Sequence, residues 1–190
     1  MRRFVILAAI AALAFSSVAS AQLAFGIHGT ASFASYSNYD ENLNEVTSWA
    51  PGFSLGATVT YDLTDFATAI YDKTEKFLVR GNVGYSMFNP ASDEYDIFGT
   101  KFTFDYTLSA LYIEALAQYY VNEKVYGMLG LGIMPYMMDV TVTPTIGAVT
   151  AEGETKVGPI IGAGYQLNDH IGLELFAGNS HIRAGALYLF

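Results

Sequence analysis

The sequence has no cysteine, so disulfides and thiolate chemistry are both excluded. It is poor in charge. Only 14% of its 190 residues are Asp, Glu, Lys or Arg, where a soluble domain carries about 25%. It is poorer still in bases, with nine Lys and Arg against 18 Asp and Glu and a net charge of −9. An acidic surface argues against nucleic acid as a partner. Long apolar runs are missing too. Beyond the N-terminus none approaches the ~18 residues of a membrane helix. Yet 52% of the residues are hydrophobic, 15% are aromatic and the mean hydropathy is +0.30. Apolar residues this abundant, but not consecutive, must be dispersed by alternation. That is the pattern of transmembrane β-strands, weak in one segment and strong when repeated.

The first 21 residues stand apart. Arg2 and Arg3 precede an apolar stretch from Phe4 to Phe15, and Ala19-Ser20-Ala21 is an A-x-A cleavage site. This predicts a signal peptide over 1–21 and a mature domain over 22–190. Loss of the two arginines takes the formal charge from −9 to −11.

Alternation begins at Leu23. Leu23, Phe25, Ile27, Gly29, Ala31 and Phe33 share one face, with Gly26, His28, Thr30 and Ser32 opposite. The second strand sets Phe53, Leu55, Ala57, Val59 and Tyr61 against Ser54, Gly56, Thr58 and Thr60. The third sets Phe77, Val79, Val83, Tyr85 and Met87 outward, with Leu78, Arg80, Asn82, Gly84 and Ser86 inward. The fourth ends in LYIEALAQYYV. Its Leu, Glu and Ala favour helix, but its period-2 split and aromatics favour strand. Outward Leu111, Ile113, Ala115, Ala117 and Tyr119 then oppose Tyr112, Glu114, Leu116, Gln118 and Tyr120. The fifth, sixth and seventh carry Leu129, Leu131 and Ile133, then Pro159, Ile161, Ala163 and Tyr165, then Ile171, Leu173, Leu175 and Ala177 outward. Their inward sets hold Met128, Gly130, Gly132, Gly162, Gly164, Glu174 and Phe176. The eighth strand, IRAGALYLF from Ile182 to Phe190, puts Ile182, Ala184, Ala186, Tyr188 and Phe190 on one face and Arg183 on the other.

The connections alternate in kind. Tyr61-Asp-Leu-Thr-Asp-Phe66, Tyr120-Val-Asn-Glu-Lys124 and Tyr165-Gln-Leu-Asn-Asp-His170 share a plan and follow strands two, four and six. Ser37 to Ser48, Asn89 to Lys101 and Asp139 to Thr155 are polar and acidic, and are expected as loops after strands one, three and five. A fourth, near Gly178 to His181, is short. Leu63 to Lys76 fits a short helix capped by Thr64 or a long turn with ragged strand ends, and both stay open. The expected fold is therefore all-β: an eight-stranded antiparallel up-and-down transmembrane β-barrel, short turns at one rim and long loops at the other.

The charges Arg80, Glu114, Glu174 and Arg183 all share the face opposite the large apolar set. A soluble ligand-binding barrel would place its apolar residues inside and its charges outside, so this arrangement is inverted. Charges in a narrow interior must be paired. Arg80 and Glu114 stand on adjacent strands, as do Glu174 and Arg183, so an internal network of those two pairs is expected to plug the lumen. Inward glycines leave room for Tyr112, Tyr120 and Phe176. Tyr61, Tyr119 and Tyr165 mark one membrane interface and Tyr85 the other.

Catalysis is not expected. The three histidines, His28, His170 and His181, are scattered, which also makes a poor zinc site, and no cofactor motif is visible. His181 adjoins Ser180, but neighbours on a strand point apart. The acids Asp40, Glu41, Glu45, Asp93, Glu94, Asp96, Asp139, Glu152 and Glu154, against Lys101 alone, predict a solvated acidic outer surface. That surface could also bridge divalent cations to lipid phosphate or serve as a ligand surface for another protein.

Signal peptide, eight alternating strands, inner turns, outer loops and the terminal Phe190 together resemble small eight-stranded outer-membrane proteins of the OmpA and OmpX type. The resemblance covers the mature chain as a pattern. It implies the bacterial outer membrane, and contact with outer-membrane lipid and lipopolysaccharide. It also implies periplasmic chaperones and the barrel-assembly machinery as partners in biogenesis, with Tyr188 and Phe190 as the assembly signal. The chain is expected to lack the periplasmic peptidoglycan-binding domain. The function expected is structural or surface interaction through the acidic loops. A narrow porin-like channel for small solutes or ions comes second, and an outer-membrane lipid-modifying enzyme third.

Overall fold

A computed structural model describes residues 23–39, 45–70, 76–89, 92–97, 99–144, 147–178 and 181–190. The proposed signal segment lies outside the described residues. The strands are β1 (Leu23–Tyr39), β2 (Glu45–Asp62), β3 (Phe77–Phe88), β4 (Asp93–Ile97), β5 (Thr100–Tyr120), β6 (Val125–Thr143), β7 (Gly147–Gln166), β8 (Ile171–Gly178) and β9 (His181–Leu189), with a helix α1 (Thr64–Ile70) between β2 and β3. Antiparallel pairing runs β3-β2-β1-β9-β8-β7-β6-β5, and β3 pairs with β5. Eight strands thus close into a ring. The five-residue β4 is an extra arm against the upper end of β5.

The register fixes the barrel's shape. A row of paired residues leaves β1 at Phe33 and passes through Ile182, Ala177, Ile161, Leu129, Ala117, Val79 and Tyr61. It returns to β1 at Leu23, ten residues below its start. That stagger over eight strands requires a tilt of about 43° and a radius of about 8 Å. Such an interior is only wide enough for side chains to fill it.

Within the membrane band, burial alternates as the pattern requires. Ile27, Leu55, Val83, Ile113, Leu131, Ile161 and Leu175 are exposed, and the residues that alternate with them are buried or half-buried. Tyr61, Tyr119, Tyr165 and Tyr188 form the lower collar; Phe33, Phe53 and Tyr85 lie near the upper edge, with Trp49 above them. On the geometry above, the collars stand about 20–25 Å apart, the height of an outer-membrane apolar band.

Above that band the structure departs from expectation. The three acidic segments expected as loops are largely strand. β1 and β2 pair up to Tyr39 and Glu45, β4 pairs with β5 inside the Asn89–Lys101 segment, and β6 and β7 pair up to Val142 and Gly147. The alternation continues there with its sense reversed. On β5 and β6, Asp105, Thr107, Asp139 and Thr141 are now exposed, while Phe104, Tyr106, Leu108, Met138, Val140 and Val142 turn inward. The medium outside has changed from lipid to water, so the apolar side changes too. The β8–β9 wall, by contrast, ends at Gly178 and His181.

At the lower rim the shared turn plan has a common chemistry. Asn122 Oδ1 accepts from the backbone N–H groups of Lys124 and Val125, and Asn168 Oδ1 from those of His170 and Ile171, all at 2.9 Å. Asp62 Oδ1 likewise accepts from Thr64 N–H at 2.8 Å. Such Asx turns fold a short polar side chain onto the next backbone donors. The open segment after β2 is helical over Thr64–Ile70. Thr64 does not cap it: its hydroxyl accepts from Phe77 N–H at 3.0 Å.

Candidate functional site: the charged lumen

The site is built on inward positions of β3, β5, β8 and β9. Arg80, Glu114, Glu174 and Arg183 are each no more than 5% exposed. Their partners differ from expectation. Arg80 pairs with Glu174 and Arg183 with Glu114, across the lumen. The register explains the exchange. Arg80 lies opposite Leu116 on β5, and Glu114 lies opposite Asn82, so the neighbouring acid is offset from Arg80 along the strand. Arg183 lies opposite Phe176, not Glu174. In a barrel of about 8 Å radius, an arginine reaches across as readily as along the wall.

Asn82 joins the two bridges. Its Oδ1 accepts from Arg80 Nε and from Thr58 Oγ1, at 2.8 and 2.7 Å, and its Nδ2 donates to Glu114 Oε2 at 2.9 Å. The lower bridge is complete. Arg80 Nη1 and Nη2 both reach Glu174, its Nε also donates to Thr58, and Tyr126 donates to Glu174 Oε1 at 2.7 Å. The upper bridge is not. Arg183 reaches Glu114 through Nη2 alone, and its Nε and Nη1 have no hydrogen-bond partner. Those donors belong to a guanidinium held over aromatic rings, 4.4 Å from the Tyr112 centroid and 5.0 Å from that of Phe176.

Glycines shape the chamber. A Cβ at Gly84 would stand 2.1 Å from Tyr112 Oη, and one at Gly164 would stand 2.1 Å from the Tyr126 ring. Only the missing side chains let these two tyrosines lie across the lumen. Tyr112 then hydrogen-bonds His28 Nε2 at 2.6 Å. A hydroxyl ladder from Ser32 to Ser54 to Ser86, at 2.5 and 2.6 Å, crosses β1, β2 and β3.

Apolar side chains close the chamber above and below. Leu78 and Tyr120 form the lower layer, and Leu116, Met128, Ile160 and Phe176 continue it upward beside the two bridges; the upper layer holds Ala34, Ala50, Phe88, Leu108, Met134 and Tyr136. Beneath the lower layer a cup of about 570 Å³ opens at the turn rim. Tyr126 and Ile160 were missed in the sequence. Following the inward parity one step down from Met128, and filling the gap between Gly158 and Gly162, would have found them.

The histidines do not assemble. His28 is in the chamber, His170 in a lower turn, and His181 is not in a loop but on β9, buried in the lumen 3.8 Å from Glu114. Ser180 lies outside the described residues. Among the described residues no cluster of His, Asp or Glu could hold a metal ion. Tyr188 and Phe190 are exposed at the lower collar, rings 5.5 Å apart, and Phe190 N–H continues the ladder to Phe25.

Closed ring, lipid-sized apolar band and charged interior define a transmembrane β-barrel of the bacterial outer membrane. The chain belongs to the outer membrane protein beta-barrel domain family, whose model matches residues 4–185. Its fold is similar to that of Neisserial surface protein A, at 16% identity over 87% of this chain and 97% of that one, with a TM-score of 0.53. It is also similar to Ail, the attachment invasion locus protein of Yersinia pestis, in complex with the heparin analogue sucrose octasulfate. That match has 14% identity over 89% and 98% of the two chains and a TM-score of 0.51. No curated protein sequence matches the chain.

Proposed function

We propose that this protein is a non-conducting barrel that presents an interaction surface on its acidic upper arms. The observation that carries this is the filled lumen, with two apolar layers around a paired charge network. A solute path would have to break both. The upper arms rise well above the apolar band: Thr100 lies eleven residues beyond the last lipid-facing residue of β5, Leu111, about 25 Å at the strand tilt given above. Glu94, Asp96, Asp105, Asp139 and Glu154 are exposed there. Ail in its complex holds a polyanionic heparin analogue. An acidic surface favours the opposite class, a cationic partner.

The test is planar-bilayer conductance of the refolded protein beside its Arg80→Ala variant, with capture of polylysine-coated beads by proteoliposomes. A silent wild type, and bead capture lost on neutralising Glu94, Asp96 and Glu154, are expected. Discrete wild-type channels would move the protein to the pore class. Capture unchanged by neutralisation would remove the arms as the working surface.

A further inference from the structure

The cup beneath the lower apolar layer is unused by the reading above. It is a dead end. Leu78, Gln118, Tyr120 and Leu187 close it inside, and Asp62, Glu123 and Asp169 stand in its wall towards the turns. At about 570 Å³ it falls in the size range of small-molecule sites. Its charge is lopsided: among the described residues of its wall, three carboxylates face one cation, Lys76. Two further observations specify the ligand. Gln118 is only 2% exposed and its Oε1 accepts no hydrogen bond, so the inner wall carries an unused acceptor. Lys76 places its ammonium 5.2 Å from the centre of the Tyr120 ring. The cup thus already holds one alkylammonium group, its own, by cation–π attraction.

The geometry points to the cup as a binding site for a small aliphatic di- or polyamine taken from the periplasm. One ammonium meets the carboxylates of the rim, the methylenes lie along Leu78 and Leu187, and the inner ammonium shares Tyr120 with Lys76 or displaces it, the Gln118 amide turning towards the cup to accept from it. The attraction is largely electrostatic at an open mouth, so it is weak and salt-dependent.

The experiment is a titration of spermidine into the full protein in zwitterionic nanodiscs. It is followed by the methyl resonances of Leu78 and Leu187, which report the cup and not the acidic upper arms. Saturable shifts are expected, weakened at least ~5-fold by 0.5 M NaCl and by Asp62→Asn combined with Asp169→Asn. Lys76→Met, which vacates the Tyr120 face, is expected to tighten binding several-fold, and Lys101→Met, which removes the same charge from the upper arms, is expected to leave it within about 2-fold. Glutarate, of similar length and opposite charge, is expected to shift nothing. Absence of saturable shifts, equal shifts with glutarate, or weaker binding in Lys76→Met would overturn the proposal. Failure here leaves the arms' reading untouched, since that is measured by bead capture.

Discussion

The two bridges of the lumen use the same residue types and are about equally buried, yet they are unequally made. In the lower one every guanidinium nitrogen of Arg80 has a partner, and Glu174 gains a third donor from Tyr126. In the upper one Arg183 donates once to Glu114 and rests on the rings of Tyr112 and Phe176. A buried ion pair is worth keeping only when further hydrogen bonds satisfy its remaining groups. By that criterion the lower bridge holds the barrel's interior and the upper one adds less. Burial alone would have ranked them as equals.

The largest effect is expected from Arg80→Met. It strands the Glu174 carboxylate in the interior, which costs about 3–5 kcal/mol. Urea unfolding from lipid vesicles would measure it through Trp49, the single tryptophan, half exposed near the upper edge. Arg183→Met strands Glu114 in the same way, but gives up one bridging bond in place of two, so it is expected at the low end of that range, about 3 kcal/mol. Equal losses in the two variants would erase the distinction between the bridges.

Double-mutant cycles sharpen the partner assignment. Arg80→Met with Glu174→Leu should couple by ~1–3 kcal/mol, and Arg80→Met with Glu114→Leu should couple less. The reverse order would restore the neighbouring-strand pairing. Tyr126→Phe removes one donor from the lower bridge and is expected to cost about 1.5–3 kcal/mol in the same unfolding assay. His181→Leu should be smallest, within ~0.5 kcal/mol of wild type or slightly stabilising. His181 Nε2 is buried without a hydrogen bond, so replacing it removes an unsatisfied group. A loss above ~1.5 kcal/mol would make His181 part of the upper bridge.

The membrane half of the fold was legible from Leu23 onward. Lipid on one side and a crowded interior on the other impose opposite chemistry on successive residues, and Leu111 to Tyr120 wears that record plainly. The lower turns were legible for a similar reason, since Asn122 and Asn168 carry the side chain that folds the turn. The upper arms were not. Phe104 to Leu108 still alternates, but with polar residues outside. A pattern sought as apolar-out reads there as loop. The five-residue β4 was hidden in an acidic stretch because its strand character comes from pairing with β5.

For the lumen, the inward parity of Arg80, Glu114, Glu174 and Arg183 was fixed by the alternation of each strand alone. Their partners were not. Pairing depends on the ten-residue stagger of the closed ring and on a diameter small enough for an arginine to cross it. No single strand carries either quantity. The sequence by itself determined which residues meet lipid, which face inward, and that the inward charges must neutralise one another, because solvent chemistry acts position by position. Only the tertiary structure decided which acid each arginine meets, that Asn82 ties the bridges together, and that the lower bridge is the complete one. Those follow from closure, which brings strands far apart in the chain to within a side chain's reach.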